Sequence, residues 1–447
     1  MRESVSAILI HDDEIFIIER QNHLRAFPGY YSFPGGKVDK EDDTKNLNAN
    51  KFNIEDRFFN ALVREIEEEL SFNLENLLDK NIISDICFFG EAITPDFNPH
   101  RFKNLYIKVF LKEKPSISLD KGEVKSSRWM KSSQAFELYR DSKMLVVPPM
   151  ITILEDLARD IKSKKVIDPN LKYDGELEVP MINPVFGIKQ FMPLSHTFPP
   201  ANRTNCFLIG DDKSILIDPS PKDEDELKKL IFSINQYKPV EDIDLLVLSH
   251  HHPDHHEYST ILAREYNLVM AMTSDTHQRI LSKYGEDYFK DIEIHFLSDG
   301  DILCHENNHP VKIIQTPGHD EGQISLIRED GAWCIVFDLI QTIGTVVVGD
   351  EEGDMKKYFD SLRSIIDMNP RYIFPSHGIG IGGINKLRKT LEHRLQREKS
   401  ISAYLKDGLG VEDILLKIYS DIPQKLHPYA RKTIIAHIDK IKNHGLG

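Results

Sequence analysis

The sequence predicts a multidomain chain of mixed α/β and α+β class, and three observations carry that expectation. Its 447 residues exceed what one hydrophobic core usually fills, so two or three domains are expected. Apolar pulses of strand length recur from Val5 to about residue 376 with helical segments between some of them, the pattern of layered α/β architecture. The last 55 residues change character and read as three helices joined by short turns, a small helix-turn-helix or winged-helix cap.

Taken in order, "VSAILI", "HDDE" and "IFIIER" between Val5 and Arg20 read as strand, turn and strand, a hairpin signal. The glycine-bearing "FPGYYSFPGGKVD" follows, then the polar "KEDDTKNLNANKFN", then a helix from near Glu55 to about Leu70. Strands "ICFFGEAI", "LYIKVFL" and "VKSSRWM" and the helix "ITILEDLARDIKSK" complete a first domain over residues 1–162. Polar, proline-bearing residues 163–184 lack periodicity and read as linker. A second domain, 185–392, holds "NCFLIG", "SILIDPS", the helix "EDELKKLIFSINQY" and the strand "IDLLVLS", followed by "IEIHFL", "VKIIQT", "ISLIRE", "WCIVFDLI" and "RYIFPS". Residues 393–447 form the third, helical part.

Composition narrows the class. With 40% hydrophobic and 28% charged residues the chain has enough apolar side chains to bury real cores. A net charge of −15 argues against a nucleic-acid surface spread over the whole molecule, while leaving room for a local basic patch. Cys87, Cys206, Cys304 and Cys334 lie far apart without a CxxC pair, which suggests neither a disulfide framework nor a thiolate zinc site and fits a reducing cytoplasm. No signal sequence and no run of about 18 apolar residues is visible, so a cytoplasmic protein without membrane contact is expected. The oligomeric state is not encoded in any pattern we recognise.

"LLVLSHHHPDHHEY", Leu245 to Tyr258, packs five of 19 histidines into seven positions. Residues two apart in extended chain point the same way, so His250 and His252, leaving a strand end, can grip one ion together. Asp254 and His255 then project towards a second ion. Imidazole and carboxylate without thiolate favour Zn²⁺, with Fe or Mn as alternatives. Further donors stand at later strand ends: His319 in "TPGHDEGQISL", Asp338 in "WCIVFDLI" and His377 in "FPSHG". His251 and His256 fall outside the ligand pattern and are expected to support the site or face solvent.

This ordered series resembles the metallo-β-lactamase superfamily over roughly residues 185 to 392. The resemblance implies an αβ/βα four-layer sandwich in which His250, His252 and His319 hold one zinc ion, and Asp254, His255 and His377 a second, with Asp338 bridging. Asp254 and Asp338 are the implied catalytic carboxylates. Phe337 stands where the family usually has glycine, and Asp320 where threonine commonly follows the histidine; neither removes a ligand. Two ions about 3.5–4 Å apart share and activate a water, which fixes hydrolysis but not the bond. The C-terminal segments resemble the tail of the β-lactamase-like protein 2 group, with its winged helix and its single-stranded RNA endonucleases. Arg431, Lys432, Lys440 and Lys442 are candidates to touch phosphates, or else form a solvated helix face. The glyoxalase II-like thioesterases use the same ligands, so thioester hydrolysis is the parallel expectation. A cut after about residue 395 is expected to leave small-ester hydrolysis intact and to weaken action on long substrates.

In the first domain, "REIEEEL" sets Glu65, Glu68 and Glu69 at i, i+3 and i+4 on one helical face, where hard oxygen ligands suit Mg²⁺ or Mn²⁺ on a diphosphate. With Gly36, Arg64 and the upstream "FPGGKVD", the helix resembles the Nudix box, implying an α/β/α sandwich with Glu68 as a catalytic carboxylate. Three departures are visible: 21 residues separate Asp42 from Arg64 where the family has about seven, Asp42 replaces a glutamate, and Ser71 replaces the terminal glycine. The segments "AFPGYYSFPGG" and "TPDFNPHRF" are similar to the coenzyme A diphosphatase branch, implying a nucleoside-diphosphate-linked or acyl-CoA-like substrate. The first expectation is a bifunctional metallohydrolase. The second makes the Nudix region a nucleotide-sensing, non-catalytic module beside a glyoxalase II-like thioesterase. A wholly non-catalytic scaffold does not explain seven candidate metal ligands, spread over about 130 residues, in this order.

Overall fold

A computed structural model describes residues 1–43, 52–349 and 352–446. The polar stretch expected before the first helix lies partly outside these residues. The chain divides into two compact units, Met1–Lys172 with Ile182–Phe186, and Tyr173–Met181 with Gly187–Gly447.

In the first unit the strand Arg2–His11 lies inside a mixed sheet, parallel to Phe102–Leu111 and antiparallel to Glu14–Arg20. Its side chains alternate between two buried faces. Val5, Ala7 and Leu9 meet Phe58, Phe59, Leu62 and Ile66 of the helix Asp56–Leu70. Ile8 and Ile10 meet Met150, Ile153, Leu154 and Leu157 of the helix Pro148–Arg159. Burial on both faces is why this strand reads as a continuous apolar run rather than an alternating one. The helix Pro148–Arg159 begins earlier than its apolar spacing indicates, because proline in the first turn gives up only an N–H that has no helical partner. It ends at Arg159, where Asp160 turns extended, so "IKSK" is not helical. Part of the expected linker is hydrogen-bonded to the edge strand Ile83–Ile93: Ile167 N donates to Phe89 O at 2.8 Å, and Ile93 N donates to Asn170 Oδ1 at 2.7 Å.

The second unit has two sheets. One runs in the order Ile294–Phe296, Met270–Met272, Leu245–Val247, Ile215–Ile217, Cys206–Ile209 and Lys189–Phe191. The other runs Ile302–Glu306, His309–Gln315, Ile324–Arg328, Trp333–Phe337, Tyr372–Pro375 and Ile381–Gly382. Cys206 and Leu208 face outward onto Leu227, Leu230 and Ile234 of the helix Glu224–Asn235, whereas Phe207 between them packs edge-on against Phe337 of the other sheet. Cys334 and Val336 face outward in turn onto Tyr358, Phe359 and Leu362 of the helix Met355–Met368. Period-two alternation in two facing sheets yields helix, sheet, sheet, helix, the four expected layers.

The helices Asn385–Lys406, Val411–Ile418 and His427–His444 follow, closed over Ile401, Ile414, Leu415, Ile434 and Ile438. The last helix also docks on Met355–Met368, with Ala436 in the same core as Phe359. Lys440 corrects the expectation of a phosphate-facing row: it is 4% exposed and donates to the buried Glu398 at 2.8 Å. Arg431 lies on the surface, paired with Glu412. No helix among the described residues is long and apolar enough to cross a membrane.

Candidate metal centre

The strand Leu245–Val247 delivers His250 to the buried interior two residues after Leu248. His252 is still extended, as the residue before the short helix Pro253–His256. Pro253 starts that turn of helix, which swings Asp254 and His255 away from the first pair of imidazoles. His319 follows the strand His309–Gln315, Asp338 comes directly after Trp333–Phe337, and His377 lies just beyond Tyr372–Pro375.

These seven side chains converge. Nδ1 of His252 lies 3.0 Å from Nε2 of His250 and 3.0 Å from Nε2 of His319, one donor triad. Asp254, His255 and His377 form another, with His377 Nε2 3.6 Å and His255 Nε2 3.8 Å from Asp254 Oδ2. Asp338 stands between them: Oδ2 is 3.6 Å from His319 Nε2 and 3.9 Å from His255 Nε2, and Oδ1 is 3.4 Å from His377 Nε2.

Outer contacts aim the rings. His319 Nδ1 pairs with Val347 O at 2.7 Å and His377 Nδ1 with Arg203 O at 2.9 Å, so each directs Nε2 inward. Asp218 serves two more: it accepts from Ser249 Oγ, which in turn meets His250 Nδ1, and it lies 2.8 Å from His255 Nδ1. Sequence reading missed Asp218, although "ILIDPS" carries the strand-end aspartate signal that picked out Asp338. Burial holds His250 well below the usual imidazole pKa, and brings His319 down to about 4 with His252 adding to it. Burial opposes charge on His255 as well, yet Asp254 and Asp218 outweigh it and lift that ring to about 9.

The residues fit divalent ions. Among the described residues, His255 Nε2 and Asp338 Oδ1 are buried and make no hydrogen bond, although His377 Nε2 comes within 3.4 Å of the latter, an arrangement that costs stability unless something else satisfies the atoms. Nitrogen and carboxylate donors without sulfur suit zinc and its neighbours. Phe337 adopts φ 45°, a left-handed backbone that favours glycine, and still keeps its ring in the inter-sheet core while Asp338 reaches the histidines. His251 and His256 are both buried, the first beside Asp320 and the second beside Tyr288.

The first unit places its carboxylates differently. Glu65 accepts from Arg64 at 2.8 Å, and the exposed Glu68 lies 3.2 Å from the same guanidinium. Glu69 is buried, accepts from Gly35 N at 2.8 Å and is pushed up to about 8 by burial. Among the described residues the three do not close into a cluster with donor atoms within 4.8 Å of one another. Arg64 is held by the buried Asp42 through two contacts of 3.0 and 3.2 Å, so the long insertion leaves that pairing in place. Gly36 leaves room for the Glu65 carboxylate: a Cβ there would lie 2.2 Å from Glu65 Oε2 and push that carboxylate aside.

Comparison with known proteins agrees with this geometry. The family model of the metallo-β-lactamase superfamily matches residues 199–377, the NUDIX domain residues 1–146 and the β-lactamase associated winged helix domain residues 411–446. A β-lactamase-like protein 2 homolog of Drosophila melanogaster is 27% identical over 256 residues, 54% of this chain and 83% of its own. One from Caenorhabditis elegans is 27% identical over 252 residues, covering 54% and 80%. A β-lactamase domain protein from Burkholderia ambifaria, known as a crystal structure, shares the fold at 16% identity and TM-score 0.50, covering 61% of this chain and 90% of its own. The chain thus carries a Nudix domain, a metallo-β-lactamase superfamily domain and a β-lactamase-associated winged helix domain, in that order, and is a hydrolase.

Proposed function

We propose that the metallo-β-lactamase domain is a two-zinc hydrolase of a phosphodiester in single-stranded RNA or of a thioester, joined to a Mg²⁺- or Mn²⁺-dependent Nudix diphosphatase, with domain limits at 1–162, 185–392 and 393–447. The observation that carries it is the meeting of seven donors in two triads around Asp338. Ions bound there would acidify a water between them and stabilise negative charge on an attacked oxygen. His250, His252 and His319 would hold the first, Asp254, His255 and His377 the second. Asp338 and Asp254 are the catalytic carboxylates in this reading, and Thr204 Oγ1 donates to Asp254 Oδ2 at 3.4 Å. On the Nudix side, Glu65, Glu68 and Glu69 would take the hard cation, and a nucleoside-diphosphate-linked or acyl-CoA-like molecule is the substrate.

The test incubates zinc-loaded protein with single-stranded RNA and with an acyl-CoA panel, reading RNA fragments, free thiol and 3′,5′-ADP separately. Hydrolysis of RNA or release of thiol, lost together with zinc in His252→Ala and Asp338→Asn, is the expected result; unchanged zinc and rate in both variants would overturn the assignment. One observation favours a second reading, in which the Nudix domain only senses a nucleotide: Arg64 pairs with Glu65 and with Glu68, and Gly35 N holds one oxygen of Glu69. That reading loses if Glu68→Gln abolishes 3′,5′-ADP release while zinc-site variants retain it.

A further inference from the structure

We propose that Asp320, His251 and Glu352 form a carboxylate–imidazole–carboxylate chain that sets the orientation and tautomer of His252, and through it the strength of metal binding; the proposal rests on the two-ion reading above. The three are positioning residues and touch no substrate. His251 Nδ1 lies 2.5 Å from Asp320 Oδ2, and its Nε2 lies 3.3 Å from Glu352 Oε1. The other oxygen of that carboxylate is 3.2 Å from His252 Nε2.

Ionised carboxylates only accept hydrogen bonds. His251 therefore donates from both nitrogens, and Glu352 takes one hydrogen from each of two imidazoles. With Nε2 of His252 committed as a donor, its lone pair stays on Nδ1, the atom that faces His250 and His319 at 3.0 Å. The opposite tautomer would aim an N–H into the triad and leave an unpaired nitrogen against Glu352. The other four histidines obtain their orientation from Ser249 and Asp218, from Asp218, from Val347 O and from Arg203 O. His252 sits at the rim with a half-exposed glutamate, and the chain ties that glutamate back to the interior. Asp320 is its fixed end: it is fully buried, and Oδ1 also accepts from Gly322 N at 2.9 Å. Aspartate after His319 thus gives His251 a buried anchor, which accounts for the pairing of these two residues in this chain.

The experiment measures zinc affinity of the full chain by chelator competition, zinc stoichiometry at saturation, and the visible spectrum after Co²⁺ substitution. Glu352→Ala is expected to weaken zinc binding roughly ten- to a hundredfold, as loss of a residue that supports a ligand does. Glu352→Gln, which keeps one good acceptor, should fall between it and the parent protein. Stoichiometry should be unchanged, and the Co²⁺ spectrum should shift. Asp320→Asn should also weaken binding, and Asp320→Asn combined with Glu352→Ala should be no worse than Glu352→Ala alone, because both act through one ring. Metal-free thermal unfolding of the Glu352 variants should match the parent, which separates the effect from a general loss of structure. Affinities within twofold of the parent in both Glu352 variants would overturn the chain, as would strictly additive losses. Loss of a whole zinc equivalent in Glu352→Ala would make Glu352 a ligand and overturn it too. If the parent binds no zinc, the two-ion reading falls and takes this inference with it. If His252→Ala loses zinc while Glu352→Ala keeps full affinity, the inference alone falls.

Discussion

Ser71 ends the helix Asp56–Leu70 at φ 58°, ψ 32°, a left-handed conformation in which a side chain is strained and glycine is not. Ser71→Gly is therefore expected to stabilise the first unit by about 0.5–1 kcal/mol, read from urea unfolding. Phe337 shares the left-handed backbone and leads to the opposite expectation. Its ring fills the space between the sheets against Phe207, so Phe337→Gly relieves the backbone but empties a buried site. A net loss of about 2–4 kcal/mol should appear in thermal unfolding, with Asp338 still in place. Both positions were legible in the sequence as departures from glycine. That the glycine-like backbone would persist was not, because it is imposed by the helix end and the sheet register rather than by the residue itself.

At the level of the element, strands bring the site together and their ends carry it. The histidines and Asp338 could be read because each follows an apolar run of strand length, and motif order did the rest. Asp218 carries the same strand-end signal but no motif singles it out, and Glu352 carries neither, since both act on rings that lie 37 or more positions away in the chain. Asp218→Asn turns one of the two oxygens that serve Ser249 and His255 into a donor and removes the negative charge beside His255, and a roughly ten- to hundredfold loss of zinc affinity is expected in the same competition assay. A second element-level expectation concerns the strand Ile302–Glu306. Burial pushes the Glu306 carboxyl up to about 7, with Asp211 adding to it, and Gly210 N supplies a single hydrogen bond. A carboxyl that holds its proton more tightly when folded stabilises the fold below its unfolded pKa of about 4.3 and loses that contribution as pH rises towards 7. Glu306→Gln should abolish this decline, leaving the variant more stable than the parent by on the order of 3 kcal/mol at pH 8 and equal to it near pH 4, as measured by denaturant midpoints.

On the scale of the whole molecule, the order of domains was readable because each carries its own periodicity and its own donor set. The attachment of the tail was not. A chain cut after about residue 395 looks harmless in sequence, since the helices beyond it are charged and evenly spaced. In the structure the last helix covers Phe359 with Ala436 and His437. Removing residues 407–447 should therefore lower the thermal midpoint of the second unit and reduce small-ester hydrolysis along with action on long substrates. Equal midpoints for the truncated and full chains would count against this. The residues of the two proposed centres belong to separate units, so under the bifunctional reading Asp338→Asn and Glu68→Gln should each silence one activity and spare the other.

The ion pair between Glu398 and Lys440 bears on how such a chain can be rearranged. Its two members lie on different helices, both buried, one before and one after the turn at Asp407. A hybrid that takes its final forty residues from a relative lacking a lysine at this position would lose the buried cation 2.8 Å from Glu398 Oε1, and breaking a buried pair by removing one member costs several kcal/mol. Hybrids joined at that turn are therefore expected to be more stable when the donor brings the matching cation, so the tail is inherited best as a pair with the helix before it.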